Sequence, residues 1–314
     1  MSRALFLLLT LLCSAFGAPW TAARAATVTV LLSERSAHYL EAARSFEAFL
    51  AHAGTAPTKV RVLALEDSVA PADPPWAASE LLVTVGTEAL KRARAQAANV
   101  PVISILLPQS AFDALPCPPN PAGARRCTAV FLDQPAARQV ALVRAAFASS
   151  HRLGVVLGAP GARLLADLRA QAALRDLAVE AALIRTPEEL FGALQEVLPG
   201  CDVYLAEPDA LVGSAASARN ILISAYRYQR PVLAFSQSYV NAGATLGIYS
   251  TPEQLGREAA ELAGAALAAP TAELPAPHYP RYFSVQVNQH VARSLGLAIP
   301  DEQSLMLRMA EPRP

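Results

Sequence analysis

From residue 27 onward, short runs of Val, Ile and Leu alternate with longer amphipathic segments. The run TVTVLLS (27–33) precedes the helix-patterned AHYLEAARSFEAFLAHAG, and KVRVLAL (59–65) follows. After a Pro-rich stretch come ELLVTVG (80–86), the helical TEALKRARAQAA and VPVISIL (100–106). Strands that are apolar throughout, separated by helix-length crossovers, predict a parallel sheet covered on both faces. Beyond a loop at 117–127 the alternation resumes with AVFLD (129–133), RLGVVLG (152–158), LAVEAALI (177–184), CDVYLAE (201–207) and PVLAF (231–235), with a helical segment between each pair. This predicts a second doubly wound unit. Helix starts are marked by Thr186, Pro187 and Glu189 and by Thr251 with Gln254, in each case a capping hydroxyl followed three residues later by a side chain that reaches back. The chain then runs through ATLGIYS (244–250), a Pro-rich strip and FSVQVNQHVARSLGLAIP. The fold class is α/β, with two Rossmann-like doubly wound lobes and parallel sheets. Ligands of such sheets sit at the carboxyl ends of the strands, so the strand-end residues carry the functional reading.

Composition narrows the classes. The 314 residues are 53% hydrophobic, enough for two cores rather than one. Lys and Arg number 26 and Asp and Glu number 26, with no basic stripe interleaved with aromatics, which argues against nucleic acid as a partner. The N-terminal MSRALFLLLTLLCSAFGAPWTAARA has a basic start at Arg3, an apolar core shorter than the roughly 20 residues that span a bilayer, and a small-residue Ala23-Arg24-Ala25 ending. It reads as a secretory signal peptide over 1–25, cleaved after Ala25, and places the mature chain in the periplasm. Loss of Arg3 and Arg24 leaves 24 basic against 26 acidic residues, a net charge of −2. In an oxidising compartment Cys117 and Cys127, which flank PPNPAGARR, could close a small disulfide or remain two surface thiols. Cys201 opens an apolar strand and reads as a buried small hydrophobe.

The motifs for bond-making chemistry are missing. There is no G-x-S-x-G elbow and no phosphate-binding G-x-x-x-x-G-K-[ST] loop, the five histidines stand singly, and no spacing reads as a metal site. An enzyme is not expected, and no cofactor is implied. The strand ends instead carry hydrogen-bonding groups. Ser33 ends the first strand, Gly86 and Thr87 end another where a helix begins, and Glu207 and Asp209 follow CDVYLA. The segment FSQSYVNAGAT crowds Ser236 and Tyr239 behind PVLAF, and GAPGAR (158–163) offers either an anion-binding helix start or a plain tight turn. An acid facing amide donors suits a zwitterion such as an amino acid.

LLVTVGTEAL with VPVISIL, RLGVVLGAPGARLL, CDVYLAEPDALV, PVLAFSQSYVNAGATLGIYSTPEQLGREAAELA and FSVQVNQHVARSLGLAIP occur in an order that resembles the periplasmic substrate-binding proteins of ABC transporters. The likeness is to those with the type I periplasmic-binding-protein architecture, in the branch that includes aromatic amino acid binders. The resemblance implies two lobes joined by a three-strand hinge that close on a small molecule. It implies lobe I as 26–132 with about 238–282, and lobe II as 133–237 with about 283–314. Gly86 and Thr87 match the family's Gly-Thr turn, Asp209 its acid after a strand, and Ser236 its polar position after PVLAF. With Ser33 and Tyr239 these form the expected ligand-binding set. Two departures stand out: Gly158-Ala159-Pro160 lacks an asparagine, and SILLPQS lacks Asp-Pro. The expected partners are a small-molecule ligand and an ABC-type permease. The alternative is an accessory or sensor protein of the same fold that acts through another envelope protein.

Overall fold

The computed structural model describes residues 25–52, 57–67, 74–96, 100–118 and 123–310. The expected signal peptide, save its last residue, lies outside the described residues. Among those described, no helix is long and apolar enough to cross a membrane.

Strands β1 (Ala26–Leu32), β2 (Thr58–Ala64), β3 (Leu81–Val85), β4 (Val102–Ile105) and β5 (Cys127–Ala129) form one all-parallel sheet in the order β2-β1-β3-β4-β5. β3 and β4 are fully buried, apolar but for Thr84 and Ser104, whose hydroxyls bond each other at 2.8 Å, because successive side chains enter different cores. Leu81, Val83 and Val85 of β3 pack on one face with Phe46 and Leu50 of helix α1 (Ala37–His52). Leu82 packs on the other with Trp76 and with Leu90 of helix α2 (Thr87–Gln96). Between β4 and β5 lies a short helix, α3 (Gln109–Asp113).

The second lobe begins with helix α4 (Ala136–Ala146), β6 (Arg152–Gly158), helix α5 (Ala162–Ala173) and β7 (Ala178–Ile184). Helix α6 (Leu190–Gly200), β8 (Val203–Leu205), helix α7 (Ala215–Arg227), β9 (Val232–Ala234), helix α8 (Gln237–Asn241) and β10 (Leu246–Tyr249) follow. After helix α9 (Pro252–Ala268) come β11 (Ser284–Val287), α10 (Gln289–Ser294) and α11 (Glu302–Ala310). The sheet order is β11-β10-β9-β8-β6-β7, parallel except for the antiparallel β11.

One lobe boundary and one helix cap differ from the sequence reading. Cys127–Ala129 pairs with β4 and closes the first sheet, inside the 26–132 expected for lobe I, although AVFLD (129–133) also opens the second alternation in the sequence. β10 is hydrogen-bonded to β9 and β11, so 238–250, expected in lobe I, pairs with the second sheet, while α9 and the segment after it return to the first, where His278 bridges Val130. Apolar character marks a buried strand without saying which sheet buries it. The capping box at Thr251 and Gln254 forms in both directions, at 3.1 and 2.9 Å, whereas the Thr186 hydroxyl caps nothing and Glu189 accepts instead from the Arg185 amide at 2.9 Å.

Helix α9 lies directly on α1, and Gly256 makes that approach possible: a Cβ there would stand 2.4 Å from the Ala42 carbonyl oxygen and 3.0 Å from the Phe46 nitrogen. The chain passes between the lobes three times, and one hydroxyl touches all three passages. Gln134 Nε2 donates to Ser250 Oγ at 3.1 Å, and Ser250 Oγ donates to the Tyr282 carbonyl at 2.6 Å. Arg138 braces the junction by donating to Gln134 Oε1 (2.5 Å) and the Pro280 carbonyl (3.0 Å), with its guanidinium over the Phe283 ring. Cys117 and Cys127 are joined in a disulfide with their Cα atoms 6.1 Å apart, and Cys201 is a buried free thiol.

Candidate functional site

A cavity of about 50 Å³ opens where the carboxyl ends of β4, β6 and β8 converge, with walls from both lobes. The first lobe contributes Gln109, Ser110 and Asp113 of α3, the passage between lobes contributes Asp133, and the second lobe contributes the turn after β6 and the residues after β8. Local backbone geometry builds these walls. Leu106, in the left-handed region at φ 54°, turns the chain sharply out of β4 so that α3 begins over the strand end. The Gln109 amide then donates to Asp133 Oδ2 at 2.7 Å, which couples α3 to the first passage between lobes.

Two carboxylates here are deeply buried. Glu207, 1% exposed, follows β8, and neither of its oxygens makes a well-formed hydrogen bond to the protein. Burial drives its pKa well above the usual carboxylate range, and the charges of Asp133 and Asp209 push the same way against easing by the nearby Gln139 side chain. Asp133, 6% exposed, is pushed up to about 6, chiefly by burial, although the Gln109 amide draws it down. Asp113 and Asp209 line the same cavity and raise the Asp133 value further. Among the described residues one cation joins the wall, Arg163, which is largely in solvent and stands 3.9 Å from Asp113 across the mouth.

The residues expected from sequence divide into three groups. Asp209 lines the cavity, but both of its oxygens are engaged in holding the wall: Oδ2 accepts from the Gly158 amide at 3.0 Å and Oδ1 from the Leu211 amide at 2.8 Å. Ser33, Gly86 and Thr87 do come together at the carboxyl ends of β1 and β3, outside the lining of this cavity. There Ser33 Oγ donates to the Val85 carbonyl (3.0 Å) and accepts from the Ala89 amide (2.9 Å), closing the start of α2. Gly86 adopts φ +89°, and a Cβ on it would fall 2.6 Å from Ser33 Oγ. Ser236 caps α8 by accepting from the Tyr239 amide at 3.2 Å. Tyr239 is 5% exposed, packed edge-on against Phe235 in the second lobe's core, with its pKa raised by burial. Neither Ser236 nor Tyr239 lines the cavity, so FSQSYVNAGAT is a helix start and core segment rather than its wall.

Sequence reasoning missed Asp133, Gln109 and Asp113. The signal was present as an acid at the end of an apolar run, AVFLD, followed by Gln-Pro, which begins a helix. The GAPGAR turn, read as either an anion site or a tight turn, places Pro160, Gly161 and Arg163 at the cavity wall. A larger cavity of about 500 Å³ lies at the amino ends of β3 and β4, beside Glu80, Arg125 and Arg126. Parallel sheets do not position ligands at that end, and the buried, unpartnered Glu207 belongs to the smaller cavity. Among the described residues no group of three or more His, Cys, Asp or Glu side chains is placed to hold a metal ion.

Residues 77–309 match the family model described as ABC transporter substrate binding protein. Among solved structures, the chain is similar to an ABC domain in complex with L-Trp from Streptococcus pneumoniae (17% identity, TM-score 0.65, covering 90% of this chain and 98% of that one). It is also similar to a ligand-free, open substrate-binding protein with adhesive properties from Clostridium difficile (16% identity, TM-score 0.67, covering 89% and 97%). A periplasmic ribose ABC transporter protein from Conexibacter woesei matches at 13% identity and TM-score 0.55, covering 87% and 95%. At these identities the likeness is one of fold, and it is the type I periplasmic-binding-protein architecture. No curated protein matches the chain by sequence.

Proposed function

The chain belongs to the ABC transporter substrate-binding protein family, whose function is solute capture, and on that premise we propose that it is exported to the periplasm and delivers a small solute to an ABC-type permease. The observation that carries the reading is the cavity between the lobes, where Asp133 is buried and Glu207 is buried with neither oxygen partnered. A binding protein needs fixed polar groups in a desolvated cleft and no bond-making group, and it gains affinity when lobe closure completes the set. The hinge suits such closure: Gln134, Ser250 and the Tyr282 carbonyl form one short chain of hydrogen bonds about which the lobes can rock. The leader over 1–25 supports export, and the lack of a nucleophile paired with a base among the described residues of this cavity supports a binder rather than a catalyst.

The test is a thermal-shift screen of purified, ligand-free protein against amino acids, amines, sugars, nucleosides and small acids. A ligand at 100 times its dissociation constant adds about 2.7 kcal/mol to the folded state, enough for a shift of several degrees. A reproducible shift from one class, with compaction in solution scattering, is the expected result. A flat screen would favour the accessory or sensor alternative instead.

A further inference from the structure

The cavity between the lobes is lined by Asp113, Asp133, Glu207 and Asp209, with Arg163 the one cation in its wall among the described residues. A cluster of acids alone would say little, but Glu207 adds an independent observation. Its side chain is sealed from solvent at 1% exposure, forms part of the cavity wall, and leaves both oxygens without a well-formed hydrogen bond. An isolated buried carboxylate is costly, and a chain with no use for one would hold an apolar residue there at no loss of packing. Asp133, 6% exposed, keeps one oxygen on the Gln109 amide and also borders the cavity. Asp209, by contrast, is consumed by the Gly158 and Leu211 amides and serves as scaffold.

These groups discriminate by charge. Burial favours the protonated form of Glu207, but a cation beside it favours the ionised form, which only accepts hydrogen bonds, so a positively charged donor gains most in this desolvated site. An anion meets four acids, and a neutral hydroxyl offers no positive charge to favour ionisation of the buried pair. A bare metal ion is disfavoured because no set of three ligands is assembled among the described residues. A zwitterion needs a cation for its own carboxylate, and Arg163 stands mostly in solvent, at the mouth beside Asp113. The volume of about 50 Å³ holds a head group rather than a whole solute, since one water occupies roughly 10–15 Å³ on this measure. Resting on the capture reading above, we infer that the cleft takes the ammonium or guanidinium head of a small cationic amine, with Glu207 and Asp133 as its acceptors.

The experiment compares size-matched probes by thermal shift and calorimetry: butylammonium, 1,4-diammoniobutane and agmatine against 1-butanol, butyrate and the zwitterion norvaline. The expected result is stabilisation by the cations alone. Glu207→Gln should keep its fold, melt no lower than the parent without probe, and bind the cations at least tenfold more weakly; Asp133→Asn should weaken them in the same direction. Equal cation shifts in the parent and in Glu207→Gln would overturn the assignment, as would preference for norvaline, butanol or butyrate. Stabilisation by some other solute class, with no response to cations, overturns the cationic head and leaves solute capture standing. No response to any solute overturns both.

Discussion

The Asp209 carboxylate accepts a hydrogen bond from the Gly158 amide at 3.0 Å, and so ties the residues after β8 to the end of β6. Its other oxygen accepts from the Leu211 amide at 2.8 Å, and a Cβ on Gly158 would stand 3.0 Å from the carboxylate. The acid therefore fastens two strand ends that form one wall of the cavity, and its charge is met by backbone dipoles rather than left for a ligand.

Asp209→Ala should accordingly act on the fold first. Hydrogen bonds to charged groups contribute about 1.5–3 kcal/mol each, and two amides lose their acceptor, so a loss of about 2–4 kcal/mol is expected in urea denaturation. Asp209→Asn, which keeps one acceptor oxygen, should recover part of it. An alanine variant as stable as the parent would show that the two bonds contribute nothing.

The Asp133 acid has the opposite sign. Its pKa is about 6 in the folded chain against an ordinary 3.8, so the folded state holds its proton more tightly than the unfolded one. The stability associated with that difference is complete below pH 3.8 and disappears as pH rises through about 6. Asp133→Asn should therefore stabilise the ligand-free protein at pH 7 by about 2–3 kcal/mol, since one pKa unit between folded and unfolded states corresponds to about 1.4 kcal/mol. The same variant should flatten the pH dependence of stability between about 4 and 6. The groups around Asp133 are Asp113, Asp209, Glu207, Tyr279 and the Gln109 amide. Glu207 is displaced the same way, so part of the slope should survive in the variant. Unchanged stability at pH 7 would show that Asp133 is solvated there.

Ser236 separates a capping role from a ligand role. It accepts from the Tyr239 amide at 3.2 Å and lies outside the cavity lining. Ser236→Ala should cost about 0.5–1 kcal/mol of stability, as for loss of an N-cap, and leave affinity for any ligand of the cleft unchanged. A tenfold loss of affinity at unchanged stability would return this segment to the site.

Legibility in the sequence followed how local each signal is. The parallel sheets were readable because β3 and β6 are apolar at almost every position, which only a sheet covered on both faces requires. The Thr251 box was readable because all its atoms lie within one turn. The lobe assignment of β10 was not, since pairing with β9 and β11 decides it. The same limit governed the site. Ser33, Gly86 and Thr87 were recognisable as neighbours at strand ends, but whether a hydroxyl there meets a ligand or the next helix depends on α2 docking over it. Asp133 matters only because α3 and β8 converge on it, and no local pattern announces that.

The third passage between the lobes rests on Glu258. This side chain of α9 is fully buried and accepts from His278 Nε2 at 3.0 Å and from the Arg281 amide and Nε at 2.9 and 3.0 Å. Burial alone would raise its pKa, but the hydrogen bonds from His278 and Arg281 outweigh that and lower it, while the bond to Glu258 raises His278. The sign of each change sets the pH window. Stability from Glu258 is present above its ordinary 4.5 and lost as pH falls through the lowered folded value. Stability from His278 is present below its ordinary 6.5 and lost as pH rises through the raised folded value. Both are complete between about pH 4.5 and 6.5. Glu258→Gln removes the charge that two partly solvated cations share and should cost about 1.5–3 kcal/mol in that window, the range for hydrogen bonds to a charged acceptor. The cost should shrink above the folded His278 value, where the imidazole is neutral and only Arg281 still needs the charge. Because segment 278–282 is tied to α9 by these bonds, amide exchange in the variant should accelerate there before it does in β1 or β3. Uniform acceleration across the first lobe would mean that Glu258 supports the α9–α1 contact rather than the passage.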